Sequence, residues 1–393
     1  MRSTLQRCAT RHAIILAAGE SKRTRPLTLN RPKPLIPLLG QPLLAHILDE
    51  LVDLVDRVTL VVGYRAADIS AHFGDSYQGI TLRYVMQGEV NGTASALLAV
   101  AGEVDEPFFL LYGDNLISRA DILGVCRQRY AMAALPVDDA RSFGVLEVVG
   151  DQVRRIIEKP ASPLPGALAN PGIFHFDADI FPLLYRIEPS PRGEYELTDL
   201  IGLLAQEERV GYHVCTGYWV PVGTPWEALM ACMFLLARRA PRPARVNSAA
   251  QLAPNVTLVG AAQIGRAQIG PGSRIIGPTF IGDGCVIGAG ALIEGSSLEP
   301  GVQVGAGSVV QRSALGAGAR VGSDCLIQSS LLDELARVGD GAQISERHFS
   351  DVRSSAATGG LISREALAHR GAILGSRAVV TAGSAIAAGT VLF

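Results

Sequence analysis

A loop near the N-terminus carries the residues whose types and spacing most plainly suggest chemistry. Lys22, Arg23 and Arg25 follow Gly19, and a second basic group, Arg31 and Lys33, stands among prolines. The apolar run from Ala13 to Ala18 precedes them and reads as a fully buried first strand. Gly19 lets the backbone turn tightly and approach a ligand. A buried strand, a glycine turn and clustered cations suit phosphate binding, because backbone N–H groups and fixed positive charge meet an anion at the carboxyl end of a parallel sheet. Pro26, Pro32, Pro34 and Pro37 stiffen the loop, so less order is lost on binding. The plainer alternative is a buried strand followed by a solvated basic loop.

The elements that must position this loop follow from composition and period. The chain has 393 residues, 48% hydrophobic and 18% charged, which allows two well-packed domains and argues against disorder. A net charge of −2 argues against a general nucleic-acid binder, so the basic loop is a local site. The six cysteines form no CxxC pair and no Cys/His cluster, and read as reduced thiols in a cytoplasmic protein. No stretch approaches the ~20 apolar residues needed to span a membrane.

Up to about Trp226, strand-like runs alternate with helical patterns. The strands are expected at Ala13–Ala17, Val58–Val62, Thr81–Val85, Phe108–Leu111, Ala131–Leu135 and Gly144–Val149, with helices such as Pro42–Val55 and Gly92–Ala101 between several of them. That alternation predicts an α/β doubly wound, mostly parallel, Rossmann-like sheet over residues 1–237, with ligands at its carboxyl edge. Residues 238–250, opening with Arg-Arg-Ala-Pro-Arg-Pro-Ala-Arg, read as a linker. From 251 to 393 the period changes. Aliphatic residues recur nearly every six positions, from Leu252, Leu258 and Ile264 through Leu332, Val338 and Ile344, and glycine often follows directly. This is the hexapeptide repeat of a parallel β-helix, whose stacked coils share one core. The rhythm loosens over about Arg347 to Arg370 and is expected to resume at Ile373, Val379, Ala385 and Val391.

Taken in order, these motifs resemble a family. Leu16-Ala-Ala-Gly19-Glu-Ser-Lys-Arg23-Thr-Arg-Pro26-Leu-Thr28 followed by Pro32-Lys33-Pro34-Leu35 is similar to the opening signature of the sugar-1-phosphate nucleotidylyltransferases with a C-terminal left-handed β-helix, with Ser21 in place of the usual second glycine. The resemblance covers nearly the whole chain and implies roles residue by residue. Leu16, Ala17, Ala18, Gly19, Gln87, Gly92 and Thr93 would bind the nucleotide, Gln87 with Gly92-Thr93 at the base. Arg23 and Lys33 would be the catalytic cations on the triphosphate. Asp114 in Tyr112-Gly113-Asp114-Asn115 would hold Mg²⁺. Gly144, Glu158, Lys159 and Asn170 would bind the sugar phosphate, and Gly193-Glu-Tyr-Glu196-Leu-Thr-Asp199 would close over it.

The resemblance further implies the conversion of a nucleoside triphosphate and a sugar 1-phosphate into a nucleotide sugar and pyrophosphate. UTP or dTTP with glucose- or N-acetylglucosamine-1-phosphate is the leading pairing, and mannose-1-phosphate with GTP is the nearest alternative. It also implies homo-oligomers through the β-helix, trimers or multiples of them. One departure stands out. Tyr218-Trp219-Val-Pro221-Val-Gly223-Thr-Pro225-Trp226 has Pro221 where the family places a second metal ligand. That leaves open a subunit that binds nucleotide sugar without turnover. A second activity, acetyl transfer by the β-helix, would call for an Asn-containing motif late in the helix; the corresponding stretch reads Ser354-Ser-Ala-Ala-Thr358, and His348 and His369 are the available bases.

Overall fold

In the computed structural model, which describes residues 8–88, 92–162, 164–190, 193–239, 243–349 and 368–393, the first apolar run becomes strand β1 (His12–Ala17), with five of its six side chains buried. Strand β2 (Arg57–Val62), strand β3 (Ile80–Met86), helix α1 (Thr93–Leu98) and strand β4 (Phe108–Tyr112) follow. β4, β1, β2 and β3 lie side by side in that order and are parallel throughout. This is the doubly wound part the alternating pattern called for.

Beyond it the sheet is mixed rather than mostly parallel. Strands β5 (Ala131–Val137), β6 (Gly144–Val149), β7 (Gln152–Glu158), β8 (Ala167–Ala169), β9 (Ile173–Phe176) and β10 (Gly211–Val214) extend the same eleven-stranded sheet. β9 runs antiparallel to both β4 and β5, and β6 pairs antiparallel with β7 and β8. The reason is connection length: Gly150 and Asp151 alone join β6 to β7, and so short a link permits only a hairpin. Phe108, Phe174 and Phe176 form the centre of the core, with helix α2 (Leu197–Glu207) contributing Leu197, Leu200 and Ile201.

The second half stacks as a parallel β-helix of three faces, with eight, seven and seven strands among the described residues. Ile264, Ile281, Leu298, Leu315 and Leu332 form one inward column. Ile269, Ile287, Val304, Val321 and Val338 form the second, and Ile275, Ile293, Val310, Ile327 and Ile344 the third. All of these are at most 3% exposed, so each contributes roughly 1.5–3 kcal/mol of apolar burial. This is the architecture of a left-handed β-helix.

The phase after the interruption differs from the expected one. Leu332 stacks on Leu374, Val338 on Val380 and Ile344 on Ile386, each one residue later than Ile373, Val379 and Ala385. The last rung follows suit, with Leu374 above Leu392 rather than Val391. Since side chains alternate along a strand, this one-residue difference places Val379 outward, 64% exposed. Glycine also marks the true phase, because Gly375 follows Leu374 as Gly265, Gly282 and Gly316 follow Ile264, Ile281 and Leu315 in the same column.

The chain gathers into two compact units that do not follow sequence order. Residues 8–20 and Leu44–Trp219 make the α/β unit. Ser21–Leu43 groups instead with 220–349 and 368–393, so the basic loop and helix α3 (Pro225–Arg239) belong with the β-helix. Residues 240–242 of the expected linker lie outside the described residues; Arg238 and Arg239 end α3, and Arg245–Val246 already pairs with the coil at Ala262–Ile264.

Candidate functional site

In the α/β unit the sheet register brings the expected residues to one edge. Ala17 aligns with Val62, Val62 with Met86, and Leu16 with Tyr112, so all four parallel strands end together. The turns that leave them are bonded side by side. The Gly113 N–H donates to Leu16 O at 2.9 Å, the Tyr64 N–H to Ala18 O at 3.1 Å, and the Gln87 N–H to Val62 O at 2.8 Å. A Cβ at Gly63 would lie 2.7 Å from Ala18 O, and one at Gly113 2.8 Å from Leu16 O. Only glycine allows these turns to approach so closely.

Gln87 and helix α1 form the next group. The Gln87 amide donates to Ser95 Oγ at 3.2 Å and Gly92 O at 3.4 Å, which fixes it against the start of α1. Gly92 has φ 118°, and a Cβ there would run into the backbone of Tyr195. Thr93 Oγ1 accepts the Leu197 N–H at 2.9 Å, and the Ala94 N–H donates to Tyr195 O at 2.9 Å. The segment expected to close over a sugar is thereby tied to the segment expected to read a base.

The residues expected at the sugar phosphate sit on adjoining strands. The Asn170 N–H donates to Gly144 O at 2.8 Å, and Asn170 Oδ1 accepts the Gly172 N–H at 2.9 Å. Glu158 and Lys159 form an ion pair at 3.4 Å, and a Cβ at Gly144 would lie 2.9 Å from Glu158 Oε2. Tyr112 joins these groups. The side chains of Thr93 and Asn170 and the charges of Glu158 and Asp114 all act on its phenol. Burial first, and those two carboxylates second, push its phenol well above the usual range. Asp199 is likewise pushed up, by burial and then by the Glu158 charge. Thr93, Asp114, Glu158 and Asn170, from four separate segments, thus all influence one phenol. In the sequence Tyr112 stands out only as part of the Gly-Asp element; its place at the end of a strand beside β1 is the available signal.

Arg23 and Lys33 lie in the other unit, on two short turns, Lys22–Thr24 and Lys33–Leu35. Arg23 is exposed and Lys33 buried. Ser21 adopts φ 55°, the left-handed conformation that the family's glycine would take without strain. Thr28 Oγ1 donates to Ser21 O at 3.0 Å, and Thr24 Oγ1 to Gly223 O at 3.1 Å. Arg31, grouped by sequence with the phosphate-binding cations, is used otherwise: its guanidinium pairs with Asp333 at 2.6 Å and Glu334 at 2.8 Å.

Asp114 is half-buried at the strand edge, and no cluster of three potential metal ligands occurs among the described residues. One carboxylate at that position fits a divalent cation that arrives with phosphates supplying most of its oxygen ligands, and does not fit a cation held by protein alone. Pro221 is buried in the strand Trp219–Pro221. Glu227, one residue beyond Trp226, accepts the Gly223 N–H at 2.9 Å. Ser354 to Thr358, expected to carry any acetyl-transfer motif, lie outside the described residues. His348 and His369 pair across an antiparallel bridge with ring centroids 5.3 Å apart.

Comparison with known proteins bears on both halves. The model of the nucleotidyl transferase family matches residues 12–238, and that of the GMPPB C-terminal domain matches 262–352. The Bifunctional protein GlmU of Methanocaldococcus jannaschii is 42% identical over 227 residues, 57% of this chain and 54% of that protein. The UTP–glucose-1-phosphate uridylyltransferase AglF of Haloferax volcanii is 39% identical over 207 residues, 50% of this chain and 84% of that protein. A bifunctional sugar-1-phosphate nucleotidylyltransferase/acetyltransferase of Sulfurisphaera tokodaii is 33% identical over 222 residues, 55% of this chain and 53% of that protein. The chain spans about half the length of the GlmU relatives it matches.

Proposed function

The chain belongs to the nucleotidyl transferase family, and on that premise we propose that it joins a nucleoside triphosphate to a sugar 1-phosphate, releasing pyrophosphate. The observation that carries the proposal is the aligned carboxyl edge of β1, β2, β3 and β4, where Gly19, Gln87 and Asp114, expected at the nucleotide and the metal, follow the strand ends in adjoining turns. A phosphate oxygen of the sugar 1-phosphate attacks the α-phosphorus, a new P–O bond forms, and the bond to pyrophosphate breaks. The attacking monoester is already ionised near neutral pH, so no general base is needed and catalysis reduces to in-line positioning and charge neutralisation.

Arg23 and Lys33 take the triphosphate and the leaving pyrophosphate. Gln87 with the Gly92-Thr93 turn faces the base, and Glu158, Lys159 and Asn170 hold the sugar phosphate. Mg²⁺ is the proposed divalent ion, with Asp114 as its protein ligand, and when bound it lowers the charge on the attacked phosphate. The name printed for the Haloferax relative supports UTP and glucose-1-phosphate as the first pair to try, with dTTP and N-acetylglucosamine-1-phosphate next. The setting we propose is the cytoplasm. Outward Val286 and Val379 support self-association through the β-helix, which light scattering would register as a multiple of 41.4 kDa.

The test is product analysis by ³¹P NMR after incubating the protein with Mg²⁺, UTP and glucose-1-phosphate, then with the other pairs. A diphosphate diester signal with matching pyrophosphate supports the reading. Unchanged substrates in every mixture overturn it.

A further inference from the structure

The β-helix departs from its own rule at two places on one column. The residue after each inward aliphatic of the first face is Gly265, Gly282, Glu299, Gly316, Asp333 and Gly375 in successive coils. Four are glycine and two are carboxylates, and both carboxylates are buried, at 6% and 4% exposure. They stand two coils apart, which at the usual strand spacing is roughly 10 Å. A buried carboxylate is costly unless donors satisfy it.

The donors come from the basic loop. Glu299 accepts the Gly40 N–H at 3.0 Å on each oxygen, and the Leu39 N–H as well. Leu39 and Gly40 form the tip of the hairpin Pro37–Leu38/Gln41–Pro42, with φ 52° and 75°. A leucine in that conformation is strained by about 1–2 kcal/mol, so something must hold the tip. Asp333 takes the other end of the segment through Arg31, two residues before Lys33. Lys33 is therefore held between two clamps, both made by the same column of the β-helix.

We infer that Glu299 and Asp333 are positioning residues for the nucleotide, acting through Leu39-Gly40 and Arg31 to set Lys33 on the triphosphate. This rests on the proposed nucleotidyl transfer for its functional consequence. The β-helix then orders the basic loop as well as stacking its own coils. The clamp itself is a statement about the loop and holds whatever the reaction.

The experiment uses the full chain with Asp333→Asn and Glu299→Gln, read in two ways. Hydrogen exchange of the amides over 27–43 should quicken at least ~10-fold while the coil strands keep their protection. Per folded molecule, kcat/KM for the nucleotide should fall ~10-fold or more, with KM for the sugar phosphate unchanged. Arg31→Gln combined with Asp333→Asn should be no worse than the more damaging single variant. A purely structural role would lower the folded fraction and leave kcat/KM per folded molecule intact, which overturns the inference. Unchanged loop exchange in folded variants overturns it equally. Should Asp333→Asn fail to fold, Glu299→Gln decides alone by the same criteria. Wild-type protein without turnover would instead count against the nucleotidyl transfer, and exchange together with binding of UTP would still decide the clamp.

Discussion

The α/β unit and the β-helix put their informative residues in different places. In the α/β unit the central strands β1 and β4 are almost wholly apolar, and the residues that could do chemistry stand just past strand ends: Gly19, Gln87, Asp114 and Lys159. In the β-helix the turn positions are as regular as the strands, so a polar residue there is conspicuous only against the repeat, as Glu299 and Asp333 are. A ligand edge in an open sheet is created by the topology itself. A site on a repeat must be written as an exception to it.

The sharpest way to break that comparison is at the loop. Arg23→Ala should lower turnover by ~10²-fold or more, in steady-state assays, with the melting temperature nearly unchanged because the side chain is exposed. A small change in rate would remove the exposed cation from the chemistry. Next comes the repeat. Leu315, fully buried between Leu298 and Leu332, should cost about 2–5 kcal/mol as Leu315→Ala in denaturant unfolding, since a cavity in one coil unsupports its two neighbours. A cost below 1 kcal/mol would mean the coils are not stacked as described.

A third prediction concerns pH. Burial raises the Glu299 carboxyl to about 6, opposed by the Leu39 and Gly40 N–H groups, and the Cys232 thiol lies within its field. A carboxyl raised in the folded state favours folding when protonated. Its contribution is complete below the ordinary glutamate value and is lost as pH rises through about 6, a swing of about 2 kcal/mol. The difference in stability between wild type and Glu299→Gln should therefore change between pH 4.5 and 7, and a flat difference would contradict the burial. The smallest effect belongs to the Arg266–Asp283 pair, whose side chains are 67% and 47% exposed. Arg266→Ala should leave the melting temperature unchanged within error, in contrast with Arg31, whose partner Asp333 is buried.

Much of this was legible beforehand, for physical reasons that also mark the limits. Every inward aliphatic from Ile264 to Ile344 was readable because a six-residue period admits a single inward phase. Beyond 349 the phase slipped by one, because a break in the repeat resets the count and only the pairing of Leu332 with Leu374 restores it. The strand-end residues were readable because turns follow apolar runs. The role of Arg31 was not, since its partners lie 302 and 303 positions away and no local pattern links them. The joint influence of Thr93, Asp114, Glu158 and Asn170 on Tyr112 likewise depends on sheet order, which places β9 beside β4 against the order of the chain.

The most direct measurement is the initial rate of pyrophosphate release with Mg²⁺, crossing UTP, dTTP, GTP, ATP and CTP with glucose-, N-acetylglucosamine- and mannose-1-phosphate, for wild type and Arg23→Ala in parallel. The account predicts one strongly preferred pair, turned over by the wild type and nearly abolished in the variant. Folded wild-type protein that binds nucleotide yet releases no pyrophosphate with any pair would contradict it, and would make Pro221 the mark of a binding subunit.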